Sequence, residues 1–147
     1  MIFKYPKNLS FKCEFCTICC RDTESRVRRI LLLKSDVNHI SSETSIEIGK
    51  FAEKIGGYEP YVYQMRKTED GRCIFLKGDS CSIYSIRPLI CKFYPFELRR
   101  TGKGKFIFTY TDECPGIGGG THLKRDFFEK LFRRFMKSMK EDNWGYL

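Results

Sequence analysis

A run of cysteines near the N-terminus constrains this chain more than any other feature. Four of the eight cysteines lie between Cys13 and Cys20, in the sequence C-E-F-C-T-I-C-C. The other four come singly and far apart, at Cys73, Cys81, Cys91 and Cys114. A compact cysteine loop with scattered distant partners is typical of a metal site in which one loop supplies most ligands and the fold supplies the rest. The sequence therefore predicts a metal-binding protein.

The rest of the chain favours metal ligation over disulfide formation. No apolar run approaches the roughly 18 residues that a membrane helix needs, and residues 1–7 lack the apolar core of a secretory signal. We therefore expect a cytoplasmic protein without membrane insertion. Thiols are kept reduced in that compartment, where clustered cysteines usually bind metals.

The cysteine spacing within the loop predicts which thiols bind the same metal centre. Cys13, Cys16 and Cys19 form C-x2-C-x2-C, which matches the first three ligands of bacterial ferredoxins. Cys20 follows at once, and neighbouring side chains on an ordinary backbone point apart. We therefore expect two four-thiolate centres. Cys13, Cys16 and Cys19 would share one with a distant cysteine, and Cys20 would join the remaining three.

Both zinc and four-iron clusters accept four thiolates. Zinc fingers usually contain two C-x2-C pairs, or one such pair with two histidines, whereas this chain has one compact cysteine group. The spacing therefore favours an iron–sulfur cluster of the 4Fe-4S type, with zinc as the alternative. His39 is interpreted as a surface residue and His122 as a solvated helix start, with ligation as the second interpretation of each.

The formal net charge of +9 counts every cysteine as neutral. Four thiolates around a zinc ion or an iron–sulfur core leave about −2 per site, so two such sites would lower the total to about +5. The basic excess therefore balances the metal sites in part and does not require a nucleic-acid partner.

Hydrophobic patterning and turn residues predict an α+β fold, with a short antiparallel sheet, cysteine-rich loops and a long C-terminal helix in one metal-stabilised domain over 1–147. An Asp70-Gly71 turn is predicted to form a hairpin. The other predicted elements are an irregular start over 1–12, a buried strand over 26–34, helices over 37–40 and 45–55, strands over 61–67, 73–77 and 105–111, and a loop over 112–120.

The last helix, predicted over 121–141 with Thr121 as its cap, is amphipathic and basic. Phenylalanine, leucine and methionine form one face, and lysine and arginine fill the other. We expect the apolar stripe to pack on the core while the charges are solvated. Binding of nucleic acid or membrane by the basic face, and a dimer formed by the stripe, are the alternatives.

Two further motifs flank the distant cysteines. Arg87 precedes Pro88 and Cys91 and could donate hydrogen bonds to cluster sulfurs or backbone carbonyls, or form a surface salt bridge. The glycines after Cys114 could bring backbone N–H groups to an anion or cofactor carboxylate, or could relieve crowding against a cluster. The candidate cofactor-binding residues are Arg87, Gly116, Gly118 and Gly119.

These residues resemble the YkgJ-type cysteine-cluster family of zinc- or iron-chelating proteins, to which flagellin lysine N-methylase is related. The resemblance rests on three stretches: F-x-C-x-x-C-x-x-C-C-R from Phe11, C-x-I-Y-x-x-R-P-x-x-C-x-x-Y-P from Cys81, and C-P-G-I-G from Cys114. It implies a zinc ion or an iron–sulfur cluster held by the cysteines of these three stretches. Lysine methylation is only weakly implied, because the methylase is longer.

Three functions remain open from the sequence. The first is an iron–sulfur protein with a redox or protein-modifying role, acting with a redox partner or a protein substrate. The second is a structural zinc module that presents the basic helix to a protein or nucleic acid. The third is a metal or cluster carrier. Whether the chain is an enzyme stays open, and the sequence offers no hydrolytic triad.

Overall fold

The computed structural model describes residues 2–144, which separate into two compact units. The terminal unit lies within 1–16 and 93–147, and the central unit comprises 17–92. Helices and short, mainly antiparallel sheets are mixed along the chain, which confirms the α+β class. The single domain over 1–147 stays a prediction. No helix within residues 2–144 is long and apolar enough to cross a bilayer.

In chain order, the elements are β1 (Ile2–Lys4), β2 (Ser10–Phe11), β3 (Leu31–Leu32), α1 (Lys34–Thr44), α2 (Ile48–Phe51), β4 (Ala52–Lys54), β5 (Tyr63–Met65), β6 (Leu76–Lys77), β7 (Ser80–Cys81), α3 (Leu89–Phe93), β8 (Phe96–Gly102), β9 (Lys105–Tyr110), β10 (Ile117–His122) and α4 (Arg125–Glu141). Two 3-10 helices cover Ile18–Cys20 and Tyr84–Ile86.

A three-stranded sheet of order β1-β9-β8 organises the terminal unit. The predicted strand over 105–111 is confirmed as β9, which pairs antiparallel with β8 and parallel with β1. The expectation of an irregular start over 1–12 is wrong. Phe3 lies opposite Phe106 and is buried, so tertiary packing orders a segment that carries only weak local signals.

Helix α4 covers one face of this sheet through the predicted apolar stripe. The rings of Phe128 and Phe108 are 5.2 Å apart between centroids, and those of Phe132 and Phe106 are 5.4 Å apart. The helix begins at Arg125 and not at the predicted Thr121 cap, because 117–122 is occupied by β10. Burial of this stripe confirms that the helix contributes its aromatic side chains to the core of the unit.

The central unit packs α1 and α2 with a sheet of order β3-β5-β4. Within the predicted 26–34 strand only β3 forms, and Val27 is exposed. The predicted helix over 45–55 forms only as the short α2 over Ile48–Phe51, and the rest of the prediction is wrong. Ser45 adopts a left-handed conformation that ends α1, and Ala52 pairs with Met65, which commits the second half of the segment to a strand. The strand over 61–67 is confirmed in shorter form as β5.

Candidate metal centre

The cysteine loop turns sharply in the central unit. Thr17 has a positive φ of 67°, and a 3-10 turn follows over Ile18–Cys20, closed by the Cys20 amide donating to the Thr17 carbonyl at 2.8 Å. This turn places the sulfurs of Cys19 and Cys20 3.7 Å apart. The expectation that these two thiols point apart is therefore wrong, because it assumed an extended backbone and Thr17 is left-handed.

Five thiols of this unit act electrostatically on one another and form what we call the central thiol group: Cys19, Cys20, Cys73, Cys81 and Cys91. The Cys73 amide donates to the Cys20 carbonyl at 2.7 Å. Cys81 lies in β7, opposite Leu76 of β6, and Cys91 lies in α3. Four separate segments of one unit therefore supply the sulfurs.

The protonation of these thiols reflects their crowding. Burial is the largest cause that raises the pKa of Cys73, Cys81 and Cys91, and neighbouring thiolate charge adds to it. A hydrogen bond between Cys19 and Cys20 lowers the pKa of Cys19 to about 6 and raises that of Cys20. The charge of Arg28 also favours the thiolate form of Cys19, which is the form that metals bind.

Two arginines supply positive charge to the central thiol group. Arg28 Nε donates to the Cys19 carbonyl at 2.9 Å, and its charge lowers the pKa of both Cys19 and Cys91. Arg87 donates to the Tyr84 carbonyl at 2.9 Å, packs 4.1 Å from the centre of the Tyr84 ring, and lowers the pKa of Cys81. Sequence reasoning selected Arg87 but missed Arg28, which stands outside any cysteine motif.

Asp22 fixes the segment that follows the cysteine loop. Its carboxylate accepts hydrogen bonds from the Arg28 amide at 2.7 Å and from Lys67 Nζ at 2.8 Å. The Lys67 interaction is the largest cause that lowers the pKa of Asp22. The predicted turn at Asp70-Gly71 is confirmed, and a Cβ at Gly71 would lie 2.6 Å from Asp22 Oδ2. The hairpin turn and Asp22 together hold Cys20 beside Cys73.

The other three thiols lie in the terminal unit and form the terminal thiol group: Cys13, Cys16 and Cys114. Cys114 is buried, and burial is the largest cause that raises its pKa. The charges of Cys16 and Cys13 raise the pKa of Cys114 further, so these two thiols act on Cys114. Cys13 is exposed, and its sulfur accepts a hydrogen bond from the Phe15 amide at 3.4 Å.

The glycine run after Cys114 shapes the terminal thiol group by close backbone contact. The Lys12 amide donates to the Gly116 carbonyl at 3.1 Å, and a Cβ at Gly116 would overlap the Lys12 carbonyl oxygen. The predicted loop over 112–120 is therefore wrong in its second half, which is β10 paired with β2. The close contact with the Lys12 backbone explains why position 116 is a glycine. A cofactor role for Gly116, Gly118 and Gly119 stays a prediction.

Replacing Gly116 with alanine is expected to lower the free energy of unfolding by roughly 1–3 kcal/mol, because the new Cβ must push the Lys12 backbone away. Gly119→Ala is the matched control, since its Cβ would meet its nearest neighbour at 3.5 Å. Urea unfolding measures the difference, and alkylation of Cys114 reports whether the thiol group opens. Equal effects of the two substitutions would contradict the close-contact explanation.

The chemistry of the donors fits zinc or iron–sulfur ligation, since both select thiolates. Among residues 2–144 no three His, Cys, Asp or Glu side chains are arranged to hold one ion. His39 and His122 are both exposed, on α1 and in β10 respectively. The predicted partition of the cysteines differs from the observed grouping, which places Cys19 with Cys20. The eight cysteines as metal ligands stay a prediction.

Family comparison agrees with this donor chemistry. Residues 12–115 match the CxxCxxCC family, described as "Putative zinc- or iron-chelating domain". The chain belongs to this family. The matched range starts one residue before Cys13 and ends one residue after Cys114, so it contains every cysteine of the chain. The resemblance to a cysteine-cluster family is thereby confirmed, and with it the general assignment to zinc or iron chelation.

One relative is the uncharacterized protein MJ0661 of Methanocaldococcus jannaschii, which is 28% identical over 109 residues. The alignment covers 72% of this chain and 55% of that protein, so the chain spans about half the length of the curated relative that it matches. No solved structure matches the chain.

Proposed function

We propose that this protein binds an iron–sulfur cluster through the central thiol group. The observation that carries the proposal is the collection of five thiols from four segments of one unit, with the charges of Arg28 and Arg87 acting on them. Four thiolates around a 2+ iron–sulfur core leave a net charge of about −2. The two guanidinium groups offset that charge in a partly buried site, where an unbalanced charge is costly.

The residues have separable roles in this proposal. Cys73, Cys81 and Cys91 would ligate together with Cys19 or Cys20, and Asp22 and Lys67 would hold the loop in place. Such a cluster supplies one-electron redox chemistry when bound. The charges of Arg28 and Arg87 oppose the burial that raises the pKa of Cys91 and Cys81, and Arg28 helps to lower that of Cys19, so they would make it easier for a metal to displace the thiol protons.

The terminal thiol group is proposed as a second, open centre. It contains three thiols, one fewer than a closed four-thiolate site requires. A cluster or ion held there would keep one coordination position for an external ligand. This would be the place for a redox or lysine N-methylation-like role.

A zinc site is the second candidate function, and one distance favours it. Four thiolates at about 2.3 Å from a zinc ion lie about 3.8 Å from one another by tetrahedral geometry. The 3.7 Å between the sulfurs of Cys19 and Cys20 agrees with that value. A structural zinc module, or a carrier that releases its metal, would use the same residues.

Metal and acid-labile sulfide analysis of anaerobically purified protein tests the proposal. An iron–sulfur protein is expected to contain iron and sulfide in equal amounts, and to show a broad visible absorbance that bleaches on reduction. Zinc without labile sulfide, in colourless protein, would overturn the proposal and support the zinc module. Cadmium-exchanged protein would then count the thiolates per ion through its sulfur-to-metal absorbance.

A further inference from the structure

The apolar face of α4 is buried within the terminal unit. Phe128 and Met139 are completely buried, and Leu131, Phe132 and Phe135 are each less than one-tenth exposed. A helix that binds in the plane of a membrane must offer such a stripe to the lipid. Because the core already covers this stripe, a membrane-surface role does not suit α4.

The opposite face carries a segregated positive charge, which we call the basic ridge: Lys130, Arg133, Arg134, Lys137 and Lys140. All five side chains are exposed, and no acidic residue occurs between 130 and 140. They recur at intervals of three or four residues, so they line one side of the helix over about 15 Å. The acidic side chains of α4 stand nearer its ends, where Glu129 lies 3.4 Å from Arg125 and 4.0 Å from Arg133 of the ridge.

The helix dipole explains only part of this arrangement. Positive charge stabilises a helix within its last turn, which accounts for Lys140. Lys130, Arg133, Arg134 and Lys137 lie before that turn, where the dipole effect has faded. Their clustering therefore calls for another cause.

The β8–β9 hairpin extends the positive surface. Arg100 lies opposite Phe106 in the sheet register, and the Phe106 ring lies 5.8 Å from that of Phe135 in α4. The end of the hairpin thus sits beside the second half of the helix. It adds two exposed cations, Arg100 on the sheet face that packs on α4 and Lys103 in the hairpin turn, whereas Arg99 lies on the other face and pairs with Glu97 at 3.6 Å.

We propose that the basic ridge of α4 and the adjoining hairpin end bind the phosphate backbone of a nucleic acid without reading its sequence. Cations that repeat every 4.5–6 Å or so along a helix suit a chain of evenly spaced phosphates. Arginine adds bidentate contacts to phosphate oxygens. The ridge carries no aromatic side chain on which a base could stack, so binding is expected to depend on charge and not on base identity.

Fluorescence anisotropy with a labelled single-stranded RNA, a single-stranded DNA and a DNA duplex tests this surface on the full, metal-loaded chain. The ridge variant is Lys130→Glu/Arg134→Glu/Lys137→Glu. The matched control is Lys50→Glu/Lys54→Glu/Lys77→Glu, three exposed lysines of the central unit with the same change of charge. At about 0.1 M salt we expect the ridge variant to bind at least roughly 30-fold more weakly, and the control to change less than about threefold.

The salt dependence gives a second measure, because each lost phosphate contact lowers the slope of log K against log salt by about 0.9 on duplex DNA. The neutral variant Lys130→Gln/Arg134→Gln/Lys137→Gln should therefore lose about 2.7 from the slope if all three residues contact phosphates. Equal losses in ridge and control variants would show that only net charge matters, and would overturn the proposal. Tighter binding to polyglutamate or phosphatidylserine vesicles than to RNA or DNA would also overturn it, in favour of another polyanion.

Discussion

Cys91→Ser is expected to abolish metal binding by the central thiol group and to leave the terminal thiol group able to bind. Cys91 lies in α3, and burial raises the pKa of its thiol strongly, so without a metal it stays protonated. Charge from Cys19, Cys73 and Cys81 acts on it, which places it among the other sulfurs of that group. Serine is nearly isosteric with cysteine but is a poor ligand for zinc or iron.

Cys114→Ser is the matched control for this substitution. Cys114 is buried whereas Cys91 is partly exposed, and the charges that act on Cys114 come from Cys13 and Cys16 in the terminal unit. Metal, iron and sulfide are measured per chain after anaerobic reconstitution of the wild type, both single variants and the double variant. Two independent centres predict additive losses, because neither variant removes a ligand of the other. Complete loss of all metal in both single variants would contradict separate thiol groups.

The substitution is also expected to weaken the fold. A structural thiolate site supplies folding free energy of roughly 10 kcal/mol or more in small zinc domains. The central unit has its own apolar core around Leu32, Val37, Ile40 and Phe51, so it should keep part of its structure without metal. A large drop in melting temperature together with retained helical circular dichroism is therefore the expected signature of Cys91→Ser.

The sequence predicted the elements whose signals are local. The apolar stripe of α4, the strand β9 and the turn at Asp70-Gly71 each follow from the periodicity or turn chemistry of a few adjacent residues. The sequence did not predict the short strands, because they form through contacts with residues far away in the chain. β1 exists through the pairing of Phe3 with Phe106, and β10 contains three consecutive glycines with little intrinsic preference for a strand.

The metal-binding chemistry was also predictable, whereas the grouping of its residues was not. The number and spacing of the eight cysteines predict metal ligation. Which thiols meet depends on the left-handed Thr17 and on the hydrogen bond from Cys73 to Cys20, neither of which has a sequence signal. Arg28 acts on Cys19 and Cys91 only because the fold brings it there.

Phe128→Ala is expected to lower the free energy of unfolding of the terminal unit by about 3–5 kcal/mol, the usual cost of emptying a fully buried phenylalanine site. Phe128 is fully buried, and its ring lies 5.0–5.2 Å from those of Tyr5, Phe96, Phe108 and Phe127. Four aromatic side chains, from the N-terminal segment, β8, β9 and α4, therefore lose their contact with this ring. Urea unfolding followed by the fluorescence of Trp144, which lies just after α4, measures the loss.

Phe127→Ala controls for the change in helix propensity, because it makes the same replacement one residue earlier in α4. Phe127 is half-buried, so its loss should cost clearly less than that of Phe128. Equal losses would mean that the core does not centre on Phe128.

The effect of Phe128→Ala should reach the terminal thiol group. The Phe96 ring contacts Phe128 and lies 5.7 Å from Phe11, which precedes Cys13 by two residues. Gly116 is held against Phe11 and Lys12 on the other side. Loosening this chain of contacts is expected to speed alkylation of Cys114 in Phe128→Ala more than in Phe127→Ala. The aromatic core would then act on the metal-binding loop as well as on stability.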